Sequence, residues 1–157
     1  MFDFEGFGEN VIGSDWKEEI HKPNWGRFAE YPDLYALLDP LPDAVELYQG
    51  CLEAVGGDKN RVQCLTALPN RARDAFPDAA KHKIDATHKH ISKDLRVHFG
   101  PFAKDKQYHK KHPHDVLIDD MYINIKQWRA MGGIGIEHKN AKRSLDELFH
   151  YFNGMEK

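Results

Sequence analysis

From residue 43 onward the apolar positions alternate between two periods. Ala44, Leu47, Tyr48, Cys51, Leu52 and Val55 recur every three or four residues, the stripe of an amphipathic helix, with Asp43 near its start and Gly56-Gly57 past its end. Arg61-Val62-Gln63-Cys64-Leu65-Thr66 predicts a short strand that ends at the loop Ala67-Leu68-Pro69-Asn70. A polar helical stretch follows from about Arg71 to Lys93, kinked or interrupted at Pro77. Leu95 to Phe99 alternates as a strand, and Asp115-Val116-Leu117-Ile118-Asp119 is a near-continuous apolar run of the kind buried on both faces of a parallel sheet. A helix over about Tyr122 to Met131, a Gly-rich strand over Gly132 to Ile136 and a last helix over about Lys142 to Phe152 complete the series. Strand and helix alternate, so the expected fold class is α/β, with βαβ units around a parallel sheet flanked by helices.

The first forty residues obey neither period. Phe2, Phe4, Phe7, Trp16, Trp25, Phe28, Tyr31 and Tyr35 are mixed with Gly and Pro, and every helical pattern is short and broken. Residues 1–40 read as an irregular, partly helical cap or lid, and residues 41–157 as the α/β core, with the change of character at Pro40-Leu41-Pro42-Asp43. Trp16, Trp25, Phe28 and Tyr31 could stack a nucleobase, but packing of the cap accounts for most of them.

Composition narrows the function. A chain of 157 residues, 41% hydrophobic and 30% charged, is long enough for one domain with a real core. The formal charge of -3 gives no general basic field, so nucleic-acid binding through Lys81 to Lys111 is the weakest of the functions considered. The opening Met1-Phe2-Asp3-Phe4-Glu5 lacks the basic start and apolar run of an export signal, and no apolar run is long enough for a membrane span. Cys51 and Cys64 each lie in an apolar segment and read as buried thiols, which makes a reducing cytoplasm the default location. The ten histidines, His109, His112 and His114 among them, match no common zinc spacing and read as a solvated, pH-sensitive face.

In open parallel sheets ligands collect beyond the carboxyl ends of the strands, where loops converge and helix N-termini offer donors. Three predicted strand ends carry suitable groups. Thr66 could place a hydroxyl beside free backbone N–H groups, although a helix-capping threonine looks the same in sequence. Lys106 could offset phosphoryl charge, although Lys104, Lys110 and Lys111 nearby fit a solvated basic loop equally well. Asp119-Asp120 ends an apolar strand, a costly position for two carboxylates unless a cation or hydrogen bonds compensate them, and hard oxygen ligands favour magnesium. The alternative is that one aspartate caps the next helix while the other faces water.

The order and spacing of these pieces resemble a known family. Cys64-Leu65-Thr66-Ala67-Leu68-Pro69, then Lys106-Gln107-Tyr108, then Asp115 to Asp120 with Asn124, Trp128 and Gly132 to Ile136, resemble the later motifs of haloacid dehalogenase-like phosphatases. The likeness is greatest to the 5'(3')-deoxyribonucleotidase-like members common in phages and bacteria, and it covers about Leu41 to Leu148. The resemblance implies a Rossmann-like core and a Mg2+-dependent phosphatase acting on a small phosphomonoester, a 5'-nucleotide above all. It implies that an aspartate attacks phosphorus, that Thr66, Ala67 and Lys106 hold the phosphoryl oxygens, and that Asp119 and Asp120 anchor the metal. Asn124 would orient the aspartate loop, with Trp128 and Gly132 to Ile136 left to packing.

The family's first motif, a strand ending in Asp-x-Asp-Gly, has no clean counterpart. In one alignment Asp3-Phe4-Glu5-Gly6 stands in for it, with Asp3 as nucleophile and metal ligand and Glu5 as acid/base, on a strand of only Met1 and Phe2. In the other, Phe2 to Gly8 lies just beyond the motif, and first strand and nucleophile are both missing. The second fits the distance to Pro40-Leu41-Pro42 better. It implies an impaired enzyme that keeps a phosphate- and metal-shaped pocket, and a gap in the sheet filled by another segment or by a second chain, as in a homo-oligomer.

Overall fold

The structure, a computed structural model, describes residues 1–155. In chain order the α-helices and strands are α1 (Phe4–Phe7), α2 (Trp16–Glu19), α3 (Leu34–Leu37), α4 (Ala44–Ala54), β1 (Gln63–Thr66), α5 (Ala79–His90), β2 (Arg96–Phe99), β3 (Val116–Asp119), α6 (Tyr122–Ala130), β4 (Ile134–Glu137) and α7 (Ala141–Met155). The chain is thus mixed α/β. It divides into two compact units, one of residues 1–42 with 68–93, the other of residues 43–67 with the chain from 94 onward.

The first unit is held by aromatic faces rather than by strands. Phe28 and Leu34 are fully buried, Phe4 stacks on Phe28 at 5.2 Å between ring centroids, and Trp25 meets Phe4, Phe28 and Phe76. Phe2 makes a single antiparallel bridge with Pro40. Asp3 Oδ1 accepts the Gly6 N–H at 2.7 Å and opens α1. The helical stretch expected from Arg71 begins only at Ala79. Pro77 disfavours helix at the residue before it and supplies no N–H, so residues 71–78 form turns that bury Ala72 and Phe76 in the aromatic core.

One carboxylate lies inside this unit. Glu19, 2% exposed, accepts hydrogen bonds from Lys22 Nζ at 2.5 Å and from the Arg27 backbone N–H at 2.8 Å, with Arg27 Nε at 3.3 Å. Over it the chain makes a left-handed turn through Asn24 (φ 51), Trp25 (φ 64) and Gly26 (φ 50). A side chain at Gly26 would place its Cβ 2.0 Å from Glu19 Oε2, so glycine is required there.

The second unit is built on ladders and helix faces. β1 pairs in parallel with β2, Gln63 opposite Arg96 and Thr66 opposite Phe99. β3 pairs in parallel with β4, Val116 opposite Ile134 and Asp119 opposite Glu137. The strands expected to share one sheet therefore form two pairs, because β1 and β3 are not bonded to each other. α6 packs its fully buried Ile125 on Gly135 of β4, where a Cβ would come 2.8 Å from Ile125 Cγ2. α4 lies on α7 through a still closer approach of Gly50 to Leu145. Asp43 joins the two helices by accepting the Ala141 N–H at 2.6 Å, and His138 Nδ1 lies 2.9 Å from the buried Ser144 hydroxyl. No helix among the described residues is long and apolar enough to cross a membrane.

Candidate functional site

The carboxyl ends of three strands of the second unit meet around one lysine. Gly100, directly after β2, donates its N–H to the Thr66 carbonyl at 3.0 Å and so closes the end of β1 against β2. A Cβ on Gly100 would lie 2.9 Å from the backbone nitrogen of Lys106, so its bare backbone lets the 3-10 segment Ala103–His109 fold back over the strand ends. Asp105 fastens the entry to that segment by accepting the Phe102 N–H at 3.2 Å. Lys106 then reaches Asp119, the last residue of β3, with Nζ 2.6 Å from Oδ2.

Asp119 is one of the few buried charged side chains, and every compensation it needs is local. Oδ2 takes the ammonium, while Oδ1 accepts the Met121 N–H and the Asn124 amide, each at 2.9 Å. Lys106 and Asp119 side chains are 13% and 4% exposed. At that depth the pair is screened far less than a surface ion pair, and it fixes a positive group beside a negative one at the rim of a parallel strand pair. Such a centre can hold an anionic oxygen on the lysine and a cation on the carboxylate.

Asp119, with Asp120 next to it, offers carboxylate oxygens of the kind a Mg2+ ion takes. The ion needs one or two carboxylates and keeps several waters, and a carboxylate oxygen with one donor still has a lone pair free for a metal. Asp119 Oδ2 is such an oxygen, and the neighbouring Asp120 side chain is exposed. The amide oxygen of Asn124, buried with its residue at 1% exposure, has no hydrogen-bond partner among the described residues, while the amide nitrogen is the atom turned to Asp119. Among the described residues there is no cluster of three or more metal-ligating His, Cys, Asp or Glu side chains, so the site is no closed protein cage.

Of the residues singled out from the sequence, Lys106 and Asp119 are in direct contact, and Asn124 holds the same carboxylate. Thr66 and Ala67 lie half-buried at the carboxyl end of β1 within the same unit, and Asp120 stands exposed beside Asp119. Asp3 and Glu5 belong to the first unit. Asp3 caps α1, and Glu5 is exposed, 3.6 Å from Lys17 Nζ. Gly100 and the Met121 N–H were not visible as parts of a site. The only signal for Gly100 was a glycine placed directly after a strand, and a backbone donor such as that of Met121 leaves none.

No family model matches the chain, and no match to it is found among curated proteins or solved structures.

Proposed function

We propose that this chain carries a haloacid dehalogenase-like, Rossmann-type α/β core and acts as a Mg2+-dependent phosphatase on a small phosphomonoester, a 5'-nucleotide of the ribo or deoxy series. The observation that carries the reading is the buried Lys106–Asp119 contact of 2.6 Å at the converging strand ends. Lys106 would bind a phosphoryl oxygen and draw charge from the transferring group, and the Thr66 hydroxyl with the Ala67 backbone would hold a second oxygen. Asp119 and Asp120 would hold magnesium, which supplies charge neutralisation at the phosphoryl group. Asn124 and the Met121 N–H keep the Asp119 carboxylate in one orientation. The acceptor of the phosphoryl group in this reading is a carboxylate, which forms an aspartyl-phosphate as the alcohol leaves and is regenerated by water.

A second reading has its own support. The strand pairs β1–β2 and β3–β4 are not joined, which favours a core that binds a phosphate ligand or a partner chain without turnover. One experiment separates the two. Phosphate release is measured from a panel of nucleoside and deoxynucleoside monophosphates with and without Mg2+. The first reading expects release that needs the metal and falls roughly 100-fold or more in Lys106→Met and Asp119→Asn. Loss of release in Asp3→Asn would assign the acceptor. Binding of the same nucleotides without release supports the second reading, and neither release nor binding refutes both.

A further inference from the structure

We infer that Tyr108 and Tyr122 are specificity residues of the Lys106–Asp119 centre, and that their rings stack on a flat aromatic ring carried by the phosphomonoester, a nucleobase rather than a bare sugar. The inference deepens the proposed function and rests on Lys106 meeting a phosphoryl oxygen. Of the six tyrosines, Tyr31, Tyr35 and Tyr151 pack against Phe7, Phe76 and Phe152, and Tyr48 is buried. Tyr108 and Tyr122 are instead 69% and 59% exposed, and among the described residues neither ring meets another aromatic ring. A ring held in water is spare contact area, and its hydroxyl keeps it solvated until something flat covers the face.

Their placement ties them to the charged centre. Among the described residues, the exposed large apolar side chains of the second unit are Val45, Met131, Tyr108, Met121, Tyr122 and Ile123, and the last four all lie within three residues of Lys106 or Asp120. Tyr108 stands on the 3-10 segment two residues after Lys106, and Tyr122 opens α6 two residues after Asp120. Consecutive Cα atoms are about 3.8 Å apart, so each tyrosine Cα lies within about 8 Å of a charged residue's Cα. The Lys106 bond to Asp119 joins the two stretches, and the segment packs on α6, with Lys110 Cδ 3.1 Å from where a Cβ on Gly133 would lie. Both backbones are tied down. Gln107 Nε2 donates to the Lys104 carbonyl at 2.8 Å, and the Met121 N–H and the Asn124 amide both bond to Asp119. Apolar surface gathered in one place and rimmed by charge marks a contact with a ligand or partner.

The occupant follows from the combination of groups. Lys106 suits an anionic oxygen and the Asp119–Asp120 carboxylates a divalent cation, a pairing that a phosphate with its metal supplies. A flat ring is covered best by another flat π face, which every nucleobase has. A nucleoside monophosphate carries both parts in one small molecule. A sugar phosphate lacks the ring, and a second copy of this chain has no phosphate to offer Lys106. The rings that the sequence suggested for stacking are spent on the core of the first unit. Trp16 and Phe28 are buried, Trp25 meets Phe4, Phe28 and Phe76, and Tyr31 meets Phe7.

The test compares deoxyadenosine 5'-monophosphate with deoxyribose 5-phosphate on the whole chain with Mg2+, by affinity or, where phosphate is released, by kcat/KM. The parent should prefer the nucleotide at least about tenfold, and Tyr108→Ala and Tyr122→Ala should each cut that preference at least about fivefold. Neither substitution should change the response to deoxyribose 5-phosphate by more than about twofold, and Tyr108→Phe and Tyr122→Phe should retain the preference, because the ring face and not the hydroxyl makes the contact. Equal treatment of the two ligands, with both still dependent on Lys106, overturns the inference and leaves the phosphatase reading standing. A preference untouched by either alanine, or lost in the phenylalanine variants as well, overturns it in the same way. A dimer in sedimentation that Tyr108→Ala and Tyr122→Ala dissolve also overturns it, because the rings then meet a second copy. If neither phosphate interacts with the chain, the phosphate reading falls and this inference falls with it.

Discussion

Among the described residues each unit buries one carboxylate, Glu19 in the first and Asp119 in the second, and the two are handled differently. Glu19 is sealed beneath the turn it organises, with Lys22 and Arg27 only three and eight residues away in sequence. Asp119 draws its lysine from thirteen residues away, at a point where strands end and a second, exposed carboxylate stands next to it. The first arrangement shapes a loop whose backbone is otherwise unfavourable, at Asn24 and Trp25 above all. The second sets unlike charges at the ends of paired strands, beside an exposed carboxylate. A buried ion pair is thus not a site in itself; what surrounds it decides whether it braces a fold or meets a ligand.

The contrast can be broken at several points, in falling order of effect. Phe28→Ala removes a fully buried ring stacked between Phe4, Phe7 and Trp25, and should cost about 3–5 kcal/mol in urea unfolding. A cost below about 1 kcal/mol would mean that the aromatic cluster does not hold the first unit. Lys106→Met leaves Asp119 with two neutral donors and should cost about 2–3 kcal/mol, somewhat below a fully enclosed pair because the lysine retains some contact with water. Lys106→Met with Asp119→Asn should recover much of that loss, and simple additivity in the double-mutant cycle would deny the coupling. Gly26→Ala forces a side chain onto Glu19 in a left-handed turn and should cost about 1–3 kcal/mol, with Asn24→Gly mildly stabilising by comparison.

The smallest effect is in pH. The Lys22 ammonium, together with the Arg27 backbone N–H, lowers the Glu19 carboxyl from 4.5 to about 2. A group depressed in the folded state binds fewer protons folded than unfolded, so its contribution is complete above pH 4.5 and drains away as pH falls towards 2. Unfolding followed across that window should show a slope that Glu19→Gln flattens. An unchanged slope would remove Glu19 from the account.

The second unit was largely legible in the sequence, and the first was not. The helical stripe from Ala44 to Val55 and the apolar run from Val116 to Asp119 became α4 and β3 within a residue or so, because a 3.6-residue stripe and an unbroken apolar run each announce their period locally, whatever they pack on. The end of the polar helix was misjudged at Arg71 because Pro77 and the burial of Phe76 decide that stretch together. In the first unit, nothing local announces that Trp25 takes a positive φ or that Glu19 goes inside, since both depend on Arg27 and on rings brought in from Phe4 and Phe76. Lys106 and Asp119 were each visible as charges near strand ends. Their contact was not, because it depends on Gly100 letting one loop fold over the others.

Calorimetric titration of a deoxynucleoside monophosphate into the chain in the presence and absence of Mg2+, repeated on Lys106→Met and Asp119→Asn, tests the centre most directly. Binding that is tightened by the metal in the parent, weakened at least about tenfold by Lys106→Met and made indifferent to the metal by Asp119→Asn is the expected result. Equal binding by all three proteins, each folded by circular dichroism, would show that this pair braces the strand ends and meets no phosphate.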